Sequence, residues 1–592
     1  MSHTFHIPVL GLGYSIDTPL KVARYGISSV ISIVDDELIE RMREFHTVNK
    51  EQFSPISKKT PDFRAKRITA YLNLVDKLVD DQFEKLKNEP FEKGTDICRY
   101  FDLLPDSSQL KHGYDLMMEF PDHSRKHIFE EVLRQKITKG AIDVNIMSKV
   151  DKMNFDANGE YLGDDHTDAI ESLKGFAESN LKSSVILSAG MNPRLYGFLE
   201  TIKDFYPDEN GHFNKKIVLK VSDFRSAFIQ AKFLAKKGIW VSEFRVESGL
   251  NCGGHAFATD GYLLGPILEE FKQKRSDLIV ELFGLYQPAL KQKGIVCNVE
   301  PKQLLSVQGG IGTAMENNFL MEHYEVDATG WGSPFLLVPE VTNVDEDTLK
   351  HLASATEEDF YISNASPLGI LFNNFKGSTI DKQRLDRLHK GRPGSPCTKK
   401  YLVTNTEFTK LPICTASREY QNLKIKQLNT LGLSEEDYQE QFNAVTEKIC
   451  LCEGLCSSAY LKDQIVKPKE SKAVAICPGP NLAYFPGIYS LEEMVKHIYG
   501  KLDLLDKIKR PHVFIKELNL YIDYLQADIQ KHIKDLNDKK LKHLTKFKAQ
   551  LLEGIAYYKE LFEELPVQAS HLIEVVVEDL IASENKLINT LI

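Results

Sequence analysis

The fold of this chain is indicated first by the stretch from Ile239 to Phe257, which reads IWVSEFRVESGLNCGGHAF. An apolar run typical of a buried strand ends in a loop with three glycines, one cysteine and one histidine. Glycines this dense after a strand let the backbone approach a ligand closely, and a neighbouring histidine can exchange a proton or form a hydrogen bond. Taken alone, the loop could equally be a turn with a packed histidine, so its meaning depends on its surroundings.

The composition is that of a large globular protein. The chain has 592 residues, of which 42% are hydrophobic and 27% are charged, and its formal net charge is −10. This length predicts two or three domains, and the acidic balance argues against nucleic acid as the main partner. We find no secretory signal and no apolar run long enough to span a membrane, and nine cysteines in such a chain indicate reduced thiols. We therefore expect a cytoplasmic protein without a membrane span.

Apolar runs that end in small or polar residues alternate with helical patterns through much of the chain. The predicted strands are 7–10, 27–34, 141–147, 184–188, 216–221, 239–246, 304–307 and 326–329. After the sixth strand, the pattern predicts one helix over 262–274 and a second over 277–293. This alternation predicts an α/β fold of the (β/α)₈ TIM barrel type, with a doubly wound open sheet as the alternative.

Four units follow from the changes in pattern along the chain. The barrel is predicted to comprise residues 1–35 and 139–345, and residues 36–138 are predicted to be a helical insertion. Residues 346–500 form a mixed region that contains most of the cysteines, and residues 501–592 are predicted to be a helical C-terminal bundle. The C-terminal helices could contact a second subunit in a homo-oligomer, or they could cap the same chain.

Two more glycine sites follow the seventh and eighth predicted strands. Gly309-Gly310 comes after one strand, and Gly332-Ser333 comes after the next. In a TIM barrel these two loops are the usual phosphate site, where backbone N–H groups receive the anion and a Cβ would block its approach. Ser333 adds a hydroxyl donor, so the pair of loops predicts a ligand that carries a phosphate.

Six segments together carry a resemblance to a known family. They are IPVLGLGYSIDTPLKVARYG at 7–26, IDVNIM at 142–147, VLKVSDFRSAFIQAKFLAKKG at 218–238, SGLNCGGHAF at 248–257, VQGGIGTA at 307–314 and DATGWGSPFLL at 327–337. These segments resemble the nitronate monooxygenase (2-nitropropane dioxygenase-like) flavoproteins, which are FMN-dependent TIM barrels and include the FabK-type enoyl reductases. KICLCEGL at 448–455 resembles a Cys-Leu-Cys-Asn-Gly-Leu segment of some relatives.

The resemblance implies a cofactor and a set of site residues. His255 falls on the family's catalytic histidine, Lys220 on a lysine beside the flavin, and Asn145 on an asparagine that reaches its ring. The implied FMN-binding residues are Gly11, Asn145, Lys220, Gly249, Gly254, Gly309, Gly310, Gly332 and Ser333. NAD(P)H is the electron donor that an enoyl reductase would use. Asn251-Cys252 stands where the family has Glu-Ala, and this departure leaves the substrate open.

The cysteines of the mixed region form a separate candidate site. Cys450, Cys452 and Cys456 have the spacing C-x-C-x₃-C, and Cys414 or Cys477 could supply a fourth thiolate. Four thiolates could bind an iron–sulfur cluster or zinc. The spacing differs from the common C-x₂-C pattern, so buried free thiols are the favoured interpretation and no metal is predicted.

The sequence therefore predicts an FMN-dependent oxidoreductase of the nitronate monooxygenase-like type that acts on a small or acyl substrate. The first alternative is a FabK-like reductase of enoyl thioesters that uses NAD(P)H. The second is a barrel without catalytic activity that serves as a scaffold in a larger assembly. A third is a barrel that binds a phosphorylated metabolite without flavin, such as an isomerase.

Overall fold

The computed structural model describes residues 2–47, 52–120, 123–148, 151–156, 158–188, 190–256, 260–532, 537–564 and 570–591. Phe257, the last residue of the glycine-rich stretch, lies outside these ranges. The strands of the main sheet are β1 Phe5–Ile7, β2 Ser28–Ser32, β3 Ile142–Ile146, β4 Ser184–Leu187, β5 Lys216–Val221, β6 Val241–Glu247, β7 Leu304–Gln308 and β8 Ala328–Gly330. Each strand pairs in parallel with the next one along the chain.

The sheet closes on itself. β8 pairs with β1, and Phe5 lies opposite Thr329 while His6 lies opposite Gly330. This pairing makes a closed barrel of eight parallel strands, so the predicted (β/α)₈ barrel is confirmed and the open sheet is wrong. The carboxyl ends of all eight strands therefore meet at one face of the molecule.

Helices connect the strands and form the rest of the chain. In chain order they are α1 Thr18–Val22, α2 Asp36–His46, α3 Phe63–Lys87, α4 Asp96–Asp102, α5 Gln109–Met118, α6 His123–Lys136, α7 Asp168–Ala177, α8 Pro193–Leu199, α9 Phe224–Ala235, α10 Leu264–Gln292, α11 Ala314–His323, α12 Glu346–Ala353, α13 Thr379–His389, α14 Arg418–Leu428, α15 Glu435–Thr446, α16 Leu451–Lys462, α17 Leu491–Ile498, α18 Val513–His532, α19 Asp538–Glu564 and α20 Ser570–Ile588. A short 3₁₀ helix, Ser333–Leu337, follows β8.

Helix α10 corrects one detail of the sequence prediction. Two helices were expected over 262–274 and 277–293, but the chain forms one helix across both. The buried side chains of Phe271, Leu278 and Leu282 continue one apolar face through the polar residues that were interpreted as a break. Burial of that face therefore keeps the helix continuous across the polar residues between 274 and 277.

Helices α2 to α6 lie between β2 and β3, within the predicted insertion. Helix α3 packs against α2 and α7, and buried ion pairs hold it there. Arg67 Nη1 lies 2.8 Å from Asp36 Oδ2, and Arg64 Nη2 lies 3.4 Å from Asp36 Oδ1. The division of the chain into four separate units stays a prediction.

The last third of the chain covers the carboxyl face of the barrel. The segment after α12 forms an antiparallel hairpin of β9 Phe360–Ser363 and β10 Phe372–Phe375, and α16 follows it. Helices α18 and α19 pack against α10 of the same chain, while a second-subunit contact of the C-terminal helices stays a prediction. Among the residues described, no helix has the length and apolarity to cross a membrane.

Candidate active site

A cavity of about 210 Å³ lies between the carboxyl ends of the strands and the covering segments. Its barrel side carries polar groups at strand ends, which are Ser32, Asn145, Ser188, Lys220 and Glu247. Its opposite side is mostly apolar and consists of Leu368, Ile370, Phe372, Tyr401, Leu402, Leu451, Cys452, Leu455 and Cys477. Gly11, Gly253, Gly254 and His255 also line the cavity, and apolar residues near the ends of β1, β2 and β3 complete the wall, which are Val9, Leu12, Val34, Ile146 and Met147. The cavity thus has one mostly apolar side and, at the barrel, one side that carries polar groups among apolar residues.

An ion pair forms part of the polar face. Lys220 near the end of β5 places Nζ 2.7 Å from Oε2 of Glu247, the last residue of β6, and both side chains are about one-fifth exposed. Gln308 Nε2 donates to Glu247 Oε1 at 2.6 Å, and His6 Nε2 lies 3.4 Å from Gln308 Oε1. Polar side chains therefore run from the cavity into the barrel interior. Burial and the charge of Arg245 lower the pKa of His6 to about 3.

His255 lies at the side of the cavity. Its Nε2 is 2.7 Å from Ser366 Oγ, and its ring packs edge-on against Phe372 with 5.3 Å between the ring centroids. The backbone around it is fixed by the hairpin, since Asn373 N donates to Gly254 O and Ala256 N donates to Leu371 O. Burial lowers the pKa of His255 to about 4, so the imidazole is neutral near pH 7 and can accept a proton.

The structure brings five of the predicted residues around this one cavity: Gly11, Asn145, Lys220, Gly254 and His255. Gly254 has φ +83°, and a Cβ added there would meet no atom within 4 Å. The cavity therefore has free space in front of the backbone at Gly254, so a ligand can approach this backbone closely.

The other predicted residues lie elsewhere. Gly309 and Gly310 have φ of +98° and +81°, and a Cβ on Gly310 would lie 2.3 Å from Leu250 Cδ1. A Cβ on Gly332 would lie 2.7 Å from the Cβ of Cys252. Both loops after β7 and β8 are thus packed directly against the loop after β6.

The hydroxyl of Ser333 has two partners from the chain itself. It donates to the carbonyl of Cys252 at 3.0 Å and accepts the N–H of Gly479 at 2.7 Å. Ser333 is buried, and Gly479 belongs to a covering segment between α16 and α17. The chain's own backbone therefore occupies the position at which Ser333 was expected to bind an anion.

Gly249 faces the C-terminal helices. Its N–H donates to Glu517 Oε1 of α18 at 2.6 Å, and a Cβ on Gly249 would lie 2.3 Å from Tyr521 Oη. Burial raises the pKa of Glu517 to about 7. The close approach that Gly249 allows is made by helix α18.

The cysteines have no disulfide partners, and six of them lie in the last third of the chain. Cys452 and Cys477 line the cavity, whereas the thiol of Cys456 lies 3.2 Å from Asp35 Oδ2. Across the described residues, the one group of three or more metal-ligating side chains with ligand atoms within 4.8 Å is Asp62, His166 and Glu171. Cys414, Cys450, Cys452, Cys456 and Cys477 do not form such a group.

Sequence reasoning missed Glu247, Ser366, Phe372 and Tyr401. Glu247 stands inside the glycine-rich stretch, and the alternation of Arg245 and Glu247 on β6 was a signal that both point into the barrel. The other three belong to the mixed region. No local pattern in that region shows which residues return to the barrel.

No protein-family model matches the chain, and a search of curated proteins finds no match. Solved structures with similar folds include a FabK variant from Thermotoga maritima, with 13% identity, 68% of this chain and 84% of that chain covered, and a TM-score of 0.29. The enoyl reductase domain of MlnA, from the macrolactin biosynthesis cluster of Bacillus amyloliquefaciens, matches with 13% identity, coverage of 73% and 87%, and a TM-score of 0.31.

A nitroalkane oxidase from Streptomyces ansochromogenes matches with 10% identity, coverage of 84% and 94%, and a TM-score of 0.33. FabK-type reductases belong to the family that the sequence segments resemble. TM-scores at this level carry no argument about cofactor, activity or substrate, which therefore depend on the site itself.

Proposed function

We propose that the cavity binds the ring system of a flavin and that the protein is an oxidoreductase of the nitronate monooxygenase-like type. The observation that carries the proposal is the convergence of Asn145, Lys220, Gly254 and His255 on one cavity at the carboxyl face of the barrel. Active sites of TIM barrels lie at this face. A mostly apolar cavity with a few polar groups on its barrel side suits a flat ring that carries polar atoms along an edge.

The residues fit the two ends of FMN differently. At the ring end, the cavity offers the amide of Asn145, the ammonium of Lys220 and free space in front of Gly254. At the phosphate end, the space between the glycine loops is filled by Leu250 and Gly479. The ring therefore fits the described arrangement and the phosphate does not.

Each polar group has a role in this proposal. A bound flavin supplies hydride transfer. Lys220 presents a cation at the ring edge where negative charge develops on reduction, and Glu247 fixes the position of that cation at 2.7 Å. Asn145 offers a hydrogen bond to the same edge. His255, neutral because of its burial, accepts a proton from the substrate or orients a carbonyl or nitro group.

The apolar side of the cavity favours one of the alternatives within this class. Leu368, Ile370, Phe372 and Leu455 would surround a hydrocarbon chain better than a small nitro compound. Reduction of an enoyl thioester with NAD(P)H as donor is therefore the second candidate. The nitronate reaction and the enoyl reduction are distinguished by which substrate reduces the flavin and which substrate reoxidises it.

A flavin titration tests the proposal directly. Purified protein is titrated with flavin, and quenching of flavin fluorescence gives the affinity of the wild type, of Leu368→Trp and of Leu385→Trp. Leu368 lines the cavity, so its replacement should abolish binding by filling the space, whereas Leu385 is exposed on α13 and its replacement should change nothing. Wild-type protein that takes up no flavin would contradict the proposal and favour a scaffold or a non-flavin barrel.

His255→Ala separates binding from chemistry. The variant should retain the flavin affinity of the wild type within about threefold and lose at least about a hundredfold in turnover, because a proton-transfer group contributes on this scale. Anaerobic reduction by NADH, NADPH, a nitronate and an enoyl thioester, followed by the flavin absorbance, identifies the substrate pair. Turnover of the variant at nearly the wild-type rate would remove His255 from the mechanism.

A further inference from the structure

We propose that the glycine loops after β7 and β8 hold the chain's own segment 477–481 instead of a ligand phosphate. The cavity then selects its ligand by the ring alone, and FMN and riboflavin bind equally well. This inference rests on the proposed function for the identity of the ring. It concerns the part of the site that lies outside the cavity.

The first support is steric. The loops contain glycine, yet the space in front of each glycine is already filled by protein: Leu250 lies before Gly310, and Cys252 lies before Gly332. A Cβ on Gly479 would lie 2.8 Å from the carbonyl oxygen of Asn251. The same Cβ would lie 3.2 Å from Ser333 Oγ in the loop after β8. The loop after β6 and the covering segment thus fill the space at the glycine loops, and a phosphate group would have to displace one of them.

Second, hydrogen-bonding groups of the two glycine loops already have partners within the chain. Asn481 Nδ2 donates to Ile311 O at 2.8 Å, and His497 Nε2 donates to Gly312 O at 2.8 Å. Glu316 Oε2 accepts the N–H of Gly312 at 2.8 Å. The bonds of Asn481 and Gly479 connect segment 477–481 to the two loops, and His497 adds a bond from α17. The bond of Glu316 occupies the N–H of Gly312 within the same loop. Breaking them in a buried place is costly, because each group would lose its partner without gaining water.

The third support is electrostatic. Arg510 is the cation beside these loops, with Nη2 2.5 Å from Gly310 O. Its Nη1 lies 2.6 Å from Glu316 Oε1, and both side chains of this pair are less than 5% exposed. Arg510 Nε also donates to Asn481 Oδ1 at 2.9 Å. The charge that could attract a phosphate is already neutralised by a buried carboxylate, which would repel an added dianion.

The fourth support is the boundary of the cavity. Gly253 and Cys477 form its wall on this side, and Gly254 N donates to Cys477 O at 2.9 Å. No residue of 309–313 or 331–334, all of them within the described ranges, lines the cavity. The ring site and the glycine loops are therefore separated by backbone that is hydrogen bonded across the gap.

The test compares two ligands that differ by the phosphate alone. Dissociation constants of FMN and riboflavin for the full-length protein are measured by fluorescence quenching, and we expect them to agree within about threefold. FMN binding at least about a hundredfold tighter would overturn the inference and leave the proposed function intact. Failure of both ligands to bind would overturn the proposed function, and the docking of segment 477–481 is then judged by the second measurement.

That measurement combines the melting temperature of the ligand-free protein with hydrogen exchange of segment 477–481 in the absence and presence of FMN. Ser333→Ala removes the two bonds to Cys252 and Gly479, so it should lower the melting temperature by about 2 °C or more, whereas Ser107→Ala at an exposed turn should not change it. Hydrogen exchange of 477–481 should stay the same when FMN is added. An unchanged melting temperature of Ser333→Ala, or faster exchange of 477–481 with FMN, would overturn the docking of this segment.

Discussion

Two regions at the carboxyl face of the barrel have the same sequence features and different surroundings. Gly254 and Gly310 each follow a strand, and each has a left-handed backbone with φ near +80°. Gly254 faces free space at the cavity, whereas Gly310 faces the side chain of Leu250. A glycine after a strand therefore indicates that something approaches the backbone closely, but it does not indicate whether a ligand or the chain itself does so.

The largest expected effect comes from adding one methyl group to each glycine. Both Gly310→Ala and Gly254→Ala place a Cβ on a left-handed residue, at a strain of about 1–2 kcal/mol each. Gly310→Ala also forces Leu250 to move, which adds about 1–3 kcal/mol to the loss in the free energy of unfolding. Gly254→Ala should instead narrow the cavity and weaken flavin binding. Urea denaturation and flavin titration of both variants measure the two effects, and equal losses of stability would contradict the difference between the regions.

The second expected effect concerns the polar face of the cavity. Lys220→Met leaves Glu247 without its cation, so the anionic edge of a reduced ring would face an uncompensated carboxylate. We expect the affinity for reduced flavin to fall by about tenfold, which equals about 1.4 kcal/mol. Lys216→Met, at the exposed amino end of the same strand, is the matched control. If adding Glu247→Gln to Lys220→Met recovers none of the lost affinity, repulsion by Glu247 is not the cause.

The comparison also shows which parts of the site could be predicted. Strand β5 was predicted with the bounds that it has, because the run KIVLKV is mostly β-branched and apolar and ends where Ser222-Asp223 begins the next helix. Lys220 and Asn145 were assigned from the family resemblance, and both reach the cavity because a barrel gathers the carboxyl ends of its strands. Local periodicity therefore predicts the strands from a single sequence, whereas the two site residues required the resemblance.

The rest depends on contacts between distant segments. Ser366 reaches His255 across 111 positions of the chain, and Gly479 reaches Ser333 across 146. The residues around Ser366 and Gly479 have no repeating pattern that indicates their destination, because irregular segments are positioned by packing and not by propensity. The sequence therefore predicts a phosphate at the two glycine loops, whereas we propose that they hold segment 477–481, although both loops lie where the barrel prediction placed them.

The smallest expected effect distinguishes the cavity wall from the surface by its response to acid. The pKa of His255 lies at about 4 in the folded protein and near 6.5 in the unfolded chain, because burial disfavours the charged imidazole. Between these values the unfolded chain binds more protons than the folded one, so stability falls as the pH falls from 6.5 to 4.

The full shift would correspond to about 3 kcal/mol, and partial exposure of the side chain reduces this to about 1 kcal/mol. His255→Gln should therefore reduce the slope of the free energy of unfolding against pH in this range by an amount that corresponds to less than one proton. His212→Gln, at an exposed position, should leave this slope unchanged. Urea denaturation at pH 7, 6, 5 and 4 measures the slopes. The remaining acid sensitivity of His255→Gln is expected from His3 and His6, whose pKa values burial lowers to about 4 and about 3. Identical slopes for all three proteins would mean that His255 contributes nothing to the acid sensitivity, and burial would then no longer explain why its imidazole is neutral.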